Sequence, residues 1–151
     1  MKIVVEVVSA RVIGDELRYL VTKAGHTKTG DPMPTARAEV AARFPDLWLR
    51  NAIVHSTSWR YDDETIVLTF LAYSDELPAQ GLPLSLPLAS VEDRANDGEG
   101  RSAVAAHAIR HLGFLVATDP REFVPKIRDS VITQLRKIAP DVSRRLGKEA
   151  A

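Results

Sequence analysis

Cysteine is absent from this chain of 151 residues. Disulfides, thiolate nucleophiles and cysteine-ligated zinc are therefore excluded. A charge surplus is absent too: 20 Lys and Arg balance 20 Asp and Glu, for a net charge of zero. Binding to nucleic acid or an anionic membrane needs a basic excess on some face, so neither partner is expected. The one local basic gathering is C-terminal, at Arg136, Lys137, Arg144, Arg145 and Lys148. No apolar run approaches the ~20 residues of a membrane span. The opening MKIVVEVVSA is interrupted by Glu6, too short and too alternating for a signal peptide. A soluble cytoplasmic protein is the expectation. Also missing are a Gly-x-x-x-x-Gly-Lys phosphate loop, a Gly-x-Gly-x-x-Gly turn and a Gly-x-Ser-x-Gly elbow.

What is present is an ordinary globular mixture, 45% hydrophobic and 26% charged. One domain over 1–151 is expected, with a core at 1–75, a proline-rich connection at 76–100 and C-terminal helices at 101–147. Residues 3–13 are rich in Val and Ile, whose branching at Cβ suits a pleated strand. Gly14-Asp15-Glu16 breaks the run, and Leu17, Tyr19 and Val21 then alternate along a second strand, giving a β-hairpin. Gly25, Gly30, Pro32 and Pro34 mark 24–34 as loop. Thr35 is placed to cap a short helix with Ala36, Val40 and Phe44 on one face, and Pro45 ends it.

A second hairpin follows at 52–73, turning at Asp62-Asp63-Glu64. Setting Tyr61 against Glu64 places Trp59, Thr57 and His55 opposite Ile66, Leu68 and Phe70 on one side. Val54, Ser56 and Ser58 then oppose Leu71, Thr69 and Val67 on the other. Both sides are largely apolar, as expected of a sheet covered on both faces; a one-residue slip would exchange them. Pro78, Pro83 and Pro87 confine any strand in the next stretch to a sheet edge. Asp97-Gly98-Glu99-Gly100 is read as a flexible loop.

Two helices close the chain. Ser102 is placed to cap 103–117, where Val104, Ala105, Ala108, Ile109, Leu112, Leu115 and Val116 fill an arc of about 140°. Asp119-Pro120-Arg121-Glu122 has the form of a capping box before the second helix. Pro125 kinks or restarts it, and Ile127, Val131, Leu135 and Ile138 form one buried stripe. The order β-β-α-β-β-loop-α-α predicts an α+β fold, an α/β/α sandwich on a mixed sheet with a C-terminal helical extension.

Three groups of residues bear on chemistry. His55, Ser56 and Thr57 offer hydrogen bonds to a phosphate or sugar, with Arg60 as an anion clamp; the reading that comes first is that the Ser and Thr residues pair across the sheet and His55 is satisfied internally. His107 and His111 stand i,i+4 with Arg110 between them, a spacing that brings two imidazoles together. No Glu follows His107 and no third ligand is evident, so boundary packing is the reading and no metal is assigned. Asp62, Asp63 and Glu64, like Glu92 and Asp93, carry no specific signal. Trp48 and Trp59 are read as core anchors.

The layout of residues 3–75 resembles a Nudix domain, with Ala36-Arg37-Ala38-Glu39-Val40-Ala41-Ala42-Arg43 in the place of that family's helix. The family signature is Gly-x5-Glu-x7-Arg-Glu-U-x-Glu-Glu-x-Gly-U, where U is bulky and aliphatic. Setting Glu39 on the Glu after Arg puts Val40 on the first U. Ala38 then replaces Arg, Ala42 and Arg43 replace the paired glutamates, and Pro45 replaces Gly. Because those glutamates hold magnesium in the family, the resemblance implies a domain lacking the standard metal site. The expectation is a binding or regulatory protein for a nucleotide or other phosphate compound, with no cofactor and contacts from His55, Thr57, Arg60, His107, Arg110 and His111. Two alternatives stand beside it. One is a divergent magnesium-dependent hydrolase of nucleoside diphosphate derivatives, and the other is a structural homodimer. Segments like HSTSWR and HAIRHL also resemble stretches of uncharacterised bacterial proteins.

Overall fold

The computed structural model describes residues 2–26, 30–78, 81–88 and 101–146. Six strands form one mixed sheet: β1 (Lys2–Ile13), β2 (Glu16–His26), β3 (Ile53–Asp62), β4 (Thr65–Tyr73), β5 (Leu82–Ser85) and β6 (Arg144–Arg145). Their spatial order is β5-β2-β1-β4-β3-β6. The two hairpins, β1–β2 and β3–β4, are antiparallel and meet through a parallel β1–β4 pairing at the centre. That crossover requires a connection over one face of the sheet, and it is made by α1 (Met33–Arg43).

Period-2 alternation assigns each strand residue to a face. Val5, Val7, Phe70 and Ala72 pack with Ala36 and Val40 of α1. Val8, Ala10, Val12, Leu71 and Tyr73 point the other way. There they meet α2 (Arg101–Thr118) and α4 (Asp129–Leu135) through Ile109, Leu112, Val131 and Leu135. The sheet is thus covered on both faces, which makes the α/β/α sandwich that the apolar patterning requires.

Several local expectations need correction. Met33, not Thr35, opens α1; its N–H donates to Asp31 Oδ1 at 2.9 Å, and Pro32 precedes the helix without a side-chain cap. The four-residue α3 (Pro120–Phe123) has Pro at its start, but Asp119 makes no side-chain capping bond. A 3₁₀ turn at Val124–Lys126 then accommodates Pro125 before α4. The stripe Ile127, Val131, Leu135 and Ile138 is buried although the helix itself is shorter than the stripe. β2 continues to His26, three residues into the expected loop at 24–34. Leu82–Ser85 does form an edge strand, against β2, and Pro83 is accommodated there. Trp48 is 61% exposed, so it anchors no core. The loop expectation at 97–100, with Glu92 and Asp93, lies outside the described residues.

The β3–β4 register is the correction with the largest consequence. Asp62 pairs with Thr65, leaving Asp63 and Glu64, both at positive φ, as a two-residue turn. Tyr61 therefore faces Ile66, two positions from the expected register. An irregularity between Ser56 and Ser58 then inserts Thr57 as an extra residue. Beyond it Ser56 pairs with Phe70 and His55 with Leu71. The bulge reverses the phase of β3, so His55 falls on the α2 face rather than on the side shared with Trp59.

Candidate functional site

The α2 face of β3 is where the polar residues of this chain collect. At its outer half, Arg60 Nη1 and Nη2 donate to Glu6 Oε1 and Oε2 at 2.9 and 3.0 Å, a bidentate pair. The Thr69 hydroxyl donates to the same Glu6 Oε1 at 2.8 Å. Burial works to raise the Glu6 carboxyl, and the bonds and charge of Arg60, with Thr69 and Lys23, outweigh it; the acid sits below its ordinary range. Arg60 is held above its ordinary value by the bond to Glu6, against burial. Arg60 is thus a structural cation committed to Glu6, not the free anion clamp its sequence position suggested.

Further along β3 the bulge sets up a second polar group. Thr57 is fully buried, and its hydroxyl donates to the Thr69 carbonyl at 3.3 Å. Its own carbonyl accepts from His107 Nε2 at 2.8 Å. One turn further on α2, His111 Nε2 lies 3.2 Å from His55 Nδ1. Residues 107 and 111 therefore step along α2 as residues 57 and 55 step back along β3. The i,i+4 spacing matches a two-residue advance on a strand, about 6 Å against about 6.6 Å.

The segment after α4 completes the arrangement. The Asp141 N–H donates to the Arg110 carbonyl at 3.2 Å, and the Asp141 carbonyl accepts from His111 Nδ1 at 3.1 Å. The Asp141 carboxylate lies 3.4 Å from His107 Nδ1 and accepts from Arg144 Nε at 3.2 Å. β6 then adds to the edge of β3 in parallel, Ser58 beside Arg144 and Trp59 beside Arg145, and the Leu146 N–H donates to the Trp59 carbonyl at 2.7 Å. Arg145 lies over the Trp59 and Tyr61 rings, 5.5 and 5.2 Å from their centroids.

His107 and His111 are almost completely buried, at 3% and 2% exposure, whereas His55 is half-buried at the rim. Burial pushes both helix imidazoles below their ordinary value. For His107 the Thr57 carbonyl and Asp141 oppose that push without cancelling it; for His111 the Asp141 carbonyl does so, while His55 and His107 reinforce it. Asp141 is itself held low, chiefly because Arg144 outweighs the cost of its burial. Phe114 stacks on His111 with centroids 5.7 Å apart, and Phe123 meets His55 edge-on at 6.3 Å.

Of the six residues expected at a site, the structure brings His55, Thr57, His107 and His111 into one seam. Arg110 supplies its backbone carbonyl and a positive charge near His107. Glu6, Thr69 and Asp141 were not expected there. Glu6 had a visible signal, a carboxylate inside the Val-rich run 3–8; Asp141 had none, because its role depends on where the chain returns after α4. Among the described residues no group of three or more His, Asp or Glu side chains is placed to hold a metal ion. Glu39 lies on α1, across the sheet from the seam, and its carboxylate accepts from Arg43 Nε at 3.1 Å.

No family model, curated protein or solved structure matches this chain.

Proposed function

We propose that the protein is a Nudix-like domain without the standard magnesium site, and that it binds a nucleotide or another phosphate compound in a regulatory rather than catalytic role. One observation carries the reading: histidines from two elements some fifty residues apart converge on a single seam whose outer member, His55, is open at the rim. A sheet interior needs no such convergence for stability, because apolar residues would fill the space at no desolvation cost. The order hairpin, helix, hairpin in the first half is the feature on which the Nudix resemblance rests.

A thermal-shift screen of nucleotides and phosphate compounds, with and without magnesium, tests the proposal. A rise in Tm that is independent of magnesium and lost in His55→Asn is the expected result. A ligand at a hundred times its Kd adds about 2.7 kcal/mol. No shift with any compound would count against binding. The hydrolase alternative has one feature in its favour, the cleft that Glu39 borders with Ala24, Pro34, Thr35 and Ala38. Magnesium-dependent turnover abolished by Glu39→Gln would replace the binding reading with that one.

A further inference from the structure

Glycine in the middle of a helix lowers stability relative to alanine, so its presence there calls for a reason. Gly113 stands inside the 18-residue α2. Close packing does not supply the reason. A Cβ added at Gly113 would lie 3.5 Å from the Leu135 carbonyl oxygen, its nearest neighbour, which is ordinary van der Waals contact. Backbone geometry does not supply it either, since Gly113 is not among the glycines at positive φ.

What the absent side chain leaves open is a groove of about 390 Å³ between the ends of α2 and α4. Gly113, Val116, Leu135 and Ile138 are its buried lining. Arg136 is the one charged residue on it, and every other lining residue is apolar. An apolar wall with few polar groups is the usual make-up of a small-molecule site, and this volume lies near the lower end of the range for such sites. The Arg136 side chain is exposed and makes no hydrogen bond or ion pair among the described residues, so its five donors are uncommitted. Arg60 and Arg144, by contrast, are bound to carboxylates. The groove opens on the side of α2 away from the seam, because Gly113 follows His111 by two residues, about 200° around the helix.

We propose that this groove is a second binding site, for a small monocarboxylate with an apolar body that lies over Gly113 while its carboxylate pairs with Arg136. The planar guanidinium matches a carboxylate with two parallel hydrogen bonds. One cation on an otherwise apolar lining suits a single negative charge; a phosphate ester would bring a second charge with nothing to receive it. The site is separate from the seam and does not depend on the phosphate-compound reading. Gly113 then has its reason: α2 gives up some stability, and the groove keeps the volume a side chain would fill.

Octanoate is a suitable probe, with octanol as its uncharged counterpart of equal chain length. Titration of the full chain, followed by ¹H–¹⁵N amide spectra at neutral pH, is expected to shift the signals of Gly113, Ala117 and Arg136. Octanol should bind about fivefold more weakly, the effect of one solvent-exposed ion pair. Arg136→Gln should erase that preference and leave octanol binding unchanged. Gly113→Ala should raise Tm by about 2–4 °C, because alanine is the better helix former. The same variant should weaken both probes about fivefold, because its methyl group occupies the groove. A substitution that stabilises the fold while weakening binding distinguishes a site from a packing defect. Absence of octanoate shifts at these amides up to millimolar concentration overturns the proposal. So does equal affinity for the two probes, or a preference that survives Arg136→Gln. A Gly113→Ala variant that is less stable than the parent, or that binds octanoate as tightly, overturns it as well.

Discussion

Arg60→Ala is expected to lower stability by about 3 kcal/mol, the lower end of the range for breaking a buried ion pair. The cost does not measure the strength of the pair. Removing the guanidinium leaves the Glu6 carboxylate, only 4% exposed as a side chain, with the Thr69 hydroxyl as its remaining close partner. Arg60 itself keeps 21% exposure, which places the estimate at the lower end. The urea midpoint should drop by about 1–2 M at an unchanged slope. Replacing both partners with apolar residues, Glu6→Leu with Arg60→Met, should recover most of the loss, because no charge is then stranded. A single variant as stable as the parent would show that Glu6 is hydrated and that the sheet is open over that position.

Leu112→Ala is the second large effect, about 3 kcal/mol, from lost transfer energy and the cavity left behind. Leu112 is fully buried and lies one residue from His111, so it helps seat α2 on the sheet. Val40→Ala, in the separate apolar layer under α1, is expected to cost about 2 kcal/mol. The two substitutions lie on opposite faces and share no partner, so their effects should add within about 0.5 kcal/mol. Strong coupling between them would mean that the two layers do not form independent cores. Only the Leu112 variant should disturb the contact between His55 and His111.

Much of this architecture could be read from residue pattern. Valine and isoleucine periodicity placed both hairpins, and doubly apolar strands implied cover on both faces. The arc around Ile109 and Leu112 and the stripe from Ile127 to Ile138 identified the helices that supply one of those covers. What escaped was set by backbone geometry rather than by side-chain type. A turn at Asp63-Glu64, with both residues at positive φ, has neither the Asn-Gly nor the Asp-Gly pair that announces such turns. The extra residue at Thr57 is equally silent, since threonine is at home anywhere in a strand. Those two features together decide which face His55 occupies. The pairing of β6 with β3 involves only Arg144 and Arg145, too short to leave any periodic trace. Convergence of His107 and His111 on β3 was legible only as a possibility carried by their i,i+4 spacing; the path of α2 across the sheet realises it.

The seam between α2 and β3 is the feature on which the functional reading depends, and a double-mutant cycle between His55 and His111 probes it most directly. Stabilities of the parent, His55→Ala, His111→Ala and the double variant at pH 8 give the interaction energy without reference to any ligand. A favourable coupling of about 1 kcal/mol is the predicted result, the size of one N–H···N bond between partly buried groups. Additivity within about 0.3 kcal/mol would contradict it, and with it the placement of these two histidines at a common site.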